Sequence, residues 1–154
     1  MAHGRKTFFT TAGVIFVLLS FLASELWAVS VTETRMFAEG PYLFKIEFQV
    51  SVRGSFKKSP AQMTSLKVKI KNDRASTKAL AVKAIRAYLQ PQVYQDIETG
   101  GFSVTPAQWV TKFYRLPKAK QPLLREDSCI EVAFDDFAIR FSPRDRKFQG
   151  PIRP

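Results

Sequence analysis

The sequence predicts one all-β domain, an antiparallel sandwich of roughly seven to nine short strands behind an N-terminal hydrophobic helix. Three observations lead there. Apolar and polar residues alternate with period two in several runs, turn-forming residues separate those runs, and no strands interleave with amphipathic helices as a parallel sheet requires. The 154 residues are 45% hydrophobic and include 14 phenylalanines, enough for one packed core and too few for two large domains.

The N-terminal element comes first. His3, Arg5 and Lys6 precede an apolar run from Phe8 to Leu22 containing Val14, Ile15, Phe16, Val17, Leu18 and Leu19, the layout of a secretory signal. Ala28-Val29-Ser30 supplies the small, any, small pattern of a cleavage point, which makes residues 1–30 a signal peptide and Val31 the first mature residue. The alternative is an uncleaved anchor over residues 7–28: residues 7–24 are 18 uncharged positions, long enough for a hydrocarbon core, with Trp27 at the interface. Both readings keep Arg5 and Lys6 cytoplasmic and export the rest to the periplasm or another extracytoplasmic space.

The sandwich domain is expected over residues 31–142. Phe44, Ile46, Phe48, Val50 and Val52 alternate with Lys45, Glu47, Gln49, Ser51 and Arg53, a half-buried strand. A polar loop over residues 54–62 follows. Leu66, Val68 and Ile70 then alternate with Lys67, Lys69 and Lys71, and Asn72-Asp73, holding the chain's single asparagine, reads as a turn. Residues 77–89 have high helix propensity, yet Ile85, Ala87 and Leu89 alternate with Arg86 and Tyr88, and the run follows a strand and a turn like a hairpin partner; strand is chosen. Short strands fit residues 93–97 or 102–104 around the Gly100-Gly101 turn, and residues 109–116 form another after Pro106. A basic linker over residues 117–122 leads to the clearest hairpin, in which Ile130, Val132 and Phe134 face Phe137, Ile139 and Phe141 across Asp135-Asp136. Residues 143–154, with three prolines, Gly150, Arg144, Arg146, Lys147 and Arg153, read as a mobile basic tail.

Chemistry is sparse. The only histidine is His3, so the domain has no imidazole for a triad, for acid/base work near neutral pH or for a histidine-rich metal site. Glu126/Asp127 and Asp135/Asp136 are paired carboxylates able to hold calcium or act on a glycosidic bond only if they converge, and adjacent acids more often make turns. Cys129, Met36 and Met63 are scattered soft ligands for a copper site, and Cys129 alone forms no internal bridge. Gly100-Gly101 lacks the Lys-Ser/Thr of a phosphate loop, and no position singles out a serine–lysine pair. These residues call for no cofactor and no small-molecule substrate.

Charge gives the stronger lead. From Val31 onward the chain carries 22 basic and 12 acidic residues, an excess that attracts anions. Lys67, Lys69 and Lys71 share one strand face, Lys118 and Lys120 lie in the linker, and Arg144, Arg146 and Lys147 in the tail. These eight are the candidate anion-binding residues; alternating lysines also serve as a solvated strand face or blunt a sheet edge. Nucleic acid is set aside, because an exported chain rarely meets it and no stacking-aromatic motif stands out.

The run Leu66-Lys67-Val68-Lys69-Ile70-Lys71-Asn72-Asp73, then residues 80–89, resembles the early strands of immunoglobulin-like sandwich modules in exported bacterial proteins and late-embryogenesis water-stress proteins. Residues 102–111 are similar to their loop and strand, and residues 130–141 to their closing hairpin. The antibody pattern of two cysteines bracketing a tryptophan is absent. The resemblance implies an immunoglobulin-like fold and transfers no catalytic residue. The expectation is therefore a non-catalytic exported module for binding, assembly or accessory work at a membrane, contacting a protein, membrane or polymer partner through its basic surface. The alternatives are a single-span accessory subunit of a larger membrane complex and, in a different class, a carboxylate- or serine/lysine-based enzyme.

Overall fold

The computed structural model describes residues 28–57 and 60–154. The expected leader or anchor falls outside them up to Trp27. Among the described residues no helix is long and apolar enough to cross a membrane, and the regular structure is all strand apart from one 3-10 turn at Lys118–Lys120. The strands in chain order are β1 (Ala28–Glu39), β2 (Tyr42–Arg53), β3 (Ala61–Asn72), β4 (Leu80–Gln90), β5 (Val93–Glu98) and β6 (Phe102–Val104). They continue with β7 (Trp109–Arg115), β8 (Leu123–Leu124), β9 (Cys129–Phe134), β10 (Ala138–Ser142) and β11 (Lys147–Ile152).

All pairings are antiparallel and make two sheets. The first has the order β1-β2-β3-β7, with β8 on β3 beyond the end of β7; the second has the order β11-β10-β9-β4-β5, with β6 beside β5 on β4. The inward residues of both sheets form one apolar core. Phe44 of β2 meets Phe134 at 5.5 Å and Phe137 at 5.6 Å, and Phe48 stacks on Phe141 of β10 at 5.2 Å. Each fully buried phenylalanine contributes about 2–3 kcal/mol of transfer free energy, so this aromatic seam is a main bond between the sheets.

The alternating runs at β2, β3, β9 and β10 are strands with their apolar sides inward. The 77–89 stretch is strand β4, against its helix propensity. It is central in its sheet, with β9 on one side and β5 and β6 on the other, and bulges opposite both neighbours explain why Ala84 and Ile85 are both buried.

Two expectations are corrected, and β1 takes in residues of the expected cleavage pattern. First, β4 is not the hairpin partner of β3: the chain crosses from one sheet to the other between them. Asn72 is therefore not an exposed turn residue. It continues the inward side of β3, is fully buried, and donates from Nδ2 to the carbonyls of Lys78 at 3.0 Å and Val104 at 2.8 Å. Ser76, also buried, exchanges hydrogen bonds with the backbone of Leu43, which fastens the crossover to β2. Strand β1 begins at Ala28, so Ala28, Val29 and Ser30 of the expected cleavage pattern pair with Arg53, Val52 and Ser51. Gly40, at φ 53°, makes the tight turn into β2 that lets Glu39 face Tyr42. Second, the C-terminal residues are not a free tail. β11 pairs with β10, and Phe148 packs on Phe141 and Phe48. Gly150 is required there, because a side chain would sit 2.7 Å from the Ala138 carbonyl.

Candidate functional site

The outward face of the first sheet is assembled by register. Residues directly opposite across antiparallel strands share a face. Lys71 of β3 faces Lys45 of β2 on one side and Trp109 of β7 on the other, and Met36 of β1 completes that row. The next row is Thr34, Glu47, Lys69 and Thr111; the third is Thr32, Gln49, Lys67 and Phe113; the fourth is Ser30, Ser51, Ser65 and Arg115. Strand spacing makes this a platform on the order of 15 by 20 Å.

Lys45, Lys67, Lys69, Lys71 and Arg115 thus share a face with one carboxylate, Glu47, which receives the Thr34 hydroxyl at 3.5 Å. Among the described residues none of the five cations lies within ion-pairing distance of a carboxylate. Trp109 is 61% and Phe113 63% exposed, and Met36 is exposed as well. A solvated strand face explains alternating lysines; it does not explain three large apolar side chains in the same rows.

The eight sequence-predicted cations are therefore only partly brought together. Lys67, Lys69 and Lys71 form the centre of the platform. Lys118 and Lys120 sit exposed in the 3-10 turn after β7, held by Gln95 donating to the Lys120 carbonyl. The remaining three belong to the second sheet's edge: Arg144 pairs with Glu126 at 2.7 Å, Arg146 reaches Glu33 of β1 at 3.4 Å, and Lys147 opens β11. With Arg153 on Glu39, Arg146 ties the β11 edge to the β1 edge across the two sheets. Lys45, Arg115, Trp109 and Phe113 were not among the eight candidate anion-binding residues of the sequence reading. Lys45 was legible, since it lies on the polar side of β2; the other three depend on β3 pairing with β7, which no local pattern announces.

The outward face of the second sheet is organised differently. Glu131 of β9 is buried between two arginines, with Arg140 Nε at 2.7 Å and Arg86 Nη1 at 3.7 Å. Arg140 lies over the Tyr88 ring at 4.5 Å and Arg86 over Tyr94 at 4.8 Å, and Arg86 also bonds Asp96 at 3.0 Å. These charges satisfy one another. A cleft of about 290 Å³ beside them is lined by Tyr88, Glu126, Asp127, Cys129 and Arg140 among others. Burial pushes the Cys129 thiol up to about 11, so it stays protonated at neutral pH.

The other candidate sets do not converge. Met36 is on the outward face of the first sheet, Met63 in the core and Cys129 on the outward face of the second. Asp135 pairs with Lys83 at 3.2 Å at the β9–β10 tip, remote in chain and element from Glu126 with its Arg144 partner. At the β5–β6 corner the Gly100 amide and the Tyr114 hydroxyl donate to Glu98; the amide dominates over a slight desolvation and lowers its pKa. No protein-family model matches the chain, and neither curated proteins nor solved structures give a match.

Proposed function

We propose that this chain is a non-catalytic binding module, an immunoglobulin-like sandwich working on the extracytoplasmic side, that holds an anionic partner against the outward face of its first sheet. The observation carrying the reading is five cations with no carboxylate partner among the described residues, laid out in register on one platform with exposed Trp109 and Phe113. The two-sheet core and the β3-to-β4 crossover support the sandwich; the basic start and apolar run of residues 1–27 support export.

The test is binding of the full chain, in neutral detergent, to dextran sulfate across a salt series. Replacing Lys67, Lys69 and Lys71 together by Gln should weaken binding roughly ten- to a hundredfold, at about 0.5–1 kcal/mol per exposed charge contact, and flatten the salt dependence. Equal affinity and slope in the triple variant would overturn the reading.

One observation favours the anchored alternative, an accessory subunit of a membrane complex. A cut after Ser30 removes three residues that β1 pairs with Ser51, Val52 and Arg53. Retention of residues 1–30 in the intact mass of the membrane-bound protein is expected on this reading, and a mature mass starting at Val31 rejects it.

A further inference from the structure

We infer that the partner of the lysine platform is the surface of an anionic phospholipid bilayer, with Trp109 and Phe113 entering the headgroup layer beside Lys45, Lys67, Lys69 and Lys71. The inference rests on the binding reading above and deepens it by naming the partner.

The chemistry of the face points to an extended array of anions and not to one. Its cations are mostly lysines, compact point charges separated by strand spacing, with no backbone amide nest or paired arginine fork to clasp a single phosphate or carboxylate. A charge array spread over β2, β3 and β7 is matched by headgroups spread in two dimensions. A linear polymer along β3 engages Lys67, Lys69 and Lys71 and leaves Lys45 and Arg115 to either side. The rings stand on β7, each directly opposite a lysine: Trp109 opposite Lys71 and Phe113 opposite Lys67. The amphipathic Trp109 ring belongs at the headgroup level and the apolar Phe113 ring is drawn beside it out of water, while lysine stems cover apolar surface and keep their ammonium groups among the phosphates. Met36, opposite Lys45, adds an apolar side chain on the far strand, so the rings and the methionine flank the lysines on both sides.

The position of the chain's apolar segment agrees. The uncharged run of residues 7–24 ends a few residues before β1, and Ser30 of β1 already belongs to the platform's fourth row. A segment able to enter a bilayer thus delivers the chain directly to this face.

The experiment uses the full chain carrying Trp27→Phe, which leaves Trp109 as its one tryptophan. The protein is reconstituted into phosphatidylcholine vesicles with or without phosphatidylglycerol, all containing brominated acyl chains, and a far-ultraviolet melt confirms the fold of each variant. Trp109 emission should be blue-shifted and quenched only in the phosphatidylglycerol vesicles. Both effects should be lost in high salt and in K67Q/K69Q/K71Q. In the same background Phe113→Gln should reduce the quenching, because it removes a ring from the face that enters the headgroup layer. Absence of quenching, or equal quenching in neutral vesicles, overturns the lipid inference; so does a Phe113→Gln variant that quenches like its parent. If dextran sulfate binding still depends on the three lysines, the binding reading survives that failure; if it does not, both fall.

Discussion

Replacing Asn72 by Asp keeps the side chain's shape and removes its two donors. The Nδ2 group serves the carbonyls of Lys78 and Val104, in the crossover and on β6, while Oδ1 accepts nothing from the protein. The substitution therefore forfeits donors without losing a used acceptor. The Val104 carbonyl is buried and leaving it unpaired costs about 1–3 kcal/mol, while the carbonyl of exposed Lys78 adds less because water can reach it. A loss of about 1–3 kcal/mol is a sizeable part of the 5–15 kcal/mol typical of a domain's stability. At about 4 °C per kcal/mol for a domain of this size, the melting temperature should fall by roughly 4–12 °C at neutral pH. The loss has a defined pH dependence. A carboxyl in a dry site facing two carbonyl oxygens has its folded-state pKa raised above the unfolded value near 3.9, because its protonated form alone can donate. Between those two values the native state binds more protons than the unfolded state, so stability declines as pH rises through that window. Far-ultraviolet melts of both proteins from about pH 4 to pH 8 should show the gap widening with pH. A variant that melts with the parent, or a gap that does not change over that range, would refute the placement of Asn72 as a buried double donor.

Two further predictions follow from the second sheet. Glu131→Gln leaves Arg86 and Arg140 without the carboxylate between them; both arginines are about one-third exposed, which softens the penalty, and the urea midpoint at neutral pH should report a loss of about 2–3 kcal/mol. An unchanged midpoint would mean that solvent already screens the pair. Cys129, with its thiol raised from 9 to about 11 chiefly by burial, should react with iodoacetamide at pH 8 about a hundredfold more slowly than a free thiol, and its protonated state should stabilise the fold below pH 9, a contribution lost as pH climbs towards 11. Labelling as fast as an unfolded control would contradict that burial.

The strands readable in advance were those with one side committed to the core. In β2, β3, β9 and β10 every second residue is buried, and period-two alternation is the direct imprint of that. The strands β1 and β11 left no such imprint, and the reason is their position at the sheet edges. Only Val31 and Phe37 of β1 reach the core; between them Glu33 uses its inward direction to meet Arg146, just before β11. Charge thus replaces apolar residues where the two edges approach, and β11 adds the Gly150-Pro151 pair that suits an edge and spoils a pattern. The same logic explains the misread turn. Asparagine between two apolar runs ordinarily reverses a chain in solvent, but here the sheets exchange strands at that point, and the buried Asn72 amide donates to the Lys78 and Val104 carbonyls.

The candidate site shows why its lysines could be found and its rings could not. Lys67, Lys69 and Lys71 lie on one strand, so their shared face follows from local periodicity alone. Whether that face is a sparse coat of charge or a platform depends on its neighbours. Lys45 comes from the adjacent strand in sequence, while Trp109, Phe113 and Arg115 arrive from β7, about forty residues further along, through a pairing set by global topology. Trp109 and Phe113 alternate with Val110 and Tyr114, which turn towards the core, so β7 reads as apolar on both faces and its outward side is indistinguishable from a buried one. The distinction is physical: a ring in the core has an apolar partner in the opposite sheet, as Phe48 has Phe141, whereas the rings of Trp109 and Phe113 stand opposite Lys71 and Lys67 and are more than half exposed. Exposed rings set among cations that pair with no carboxylate among the described residues are two deficits that the proposed amphiphilic, anionic surface would meet together.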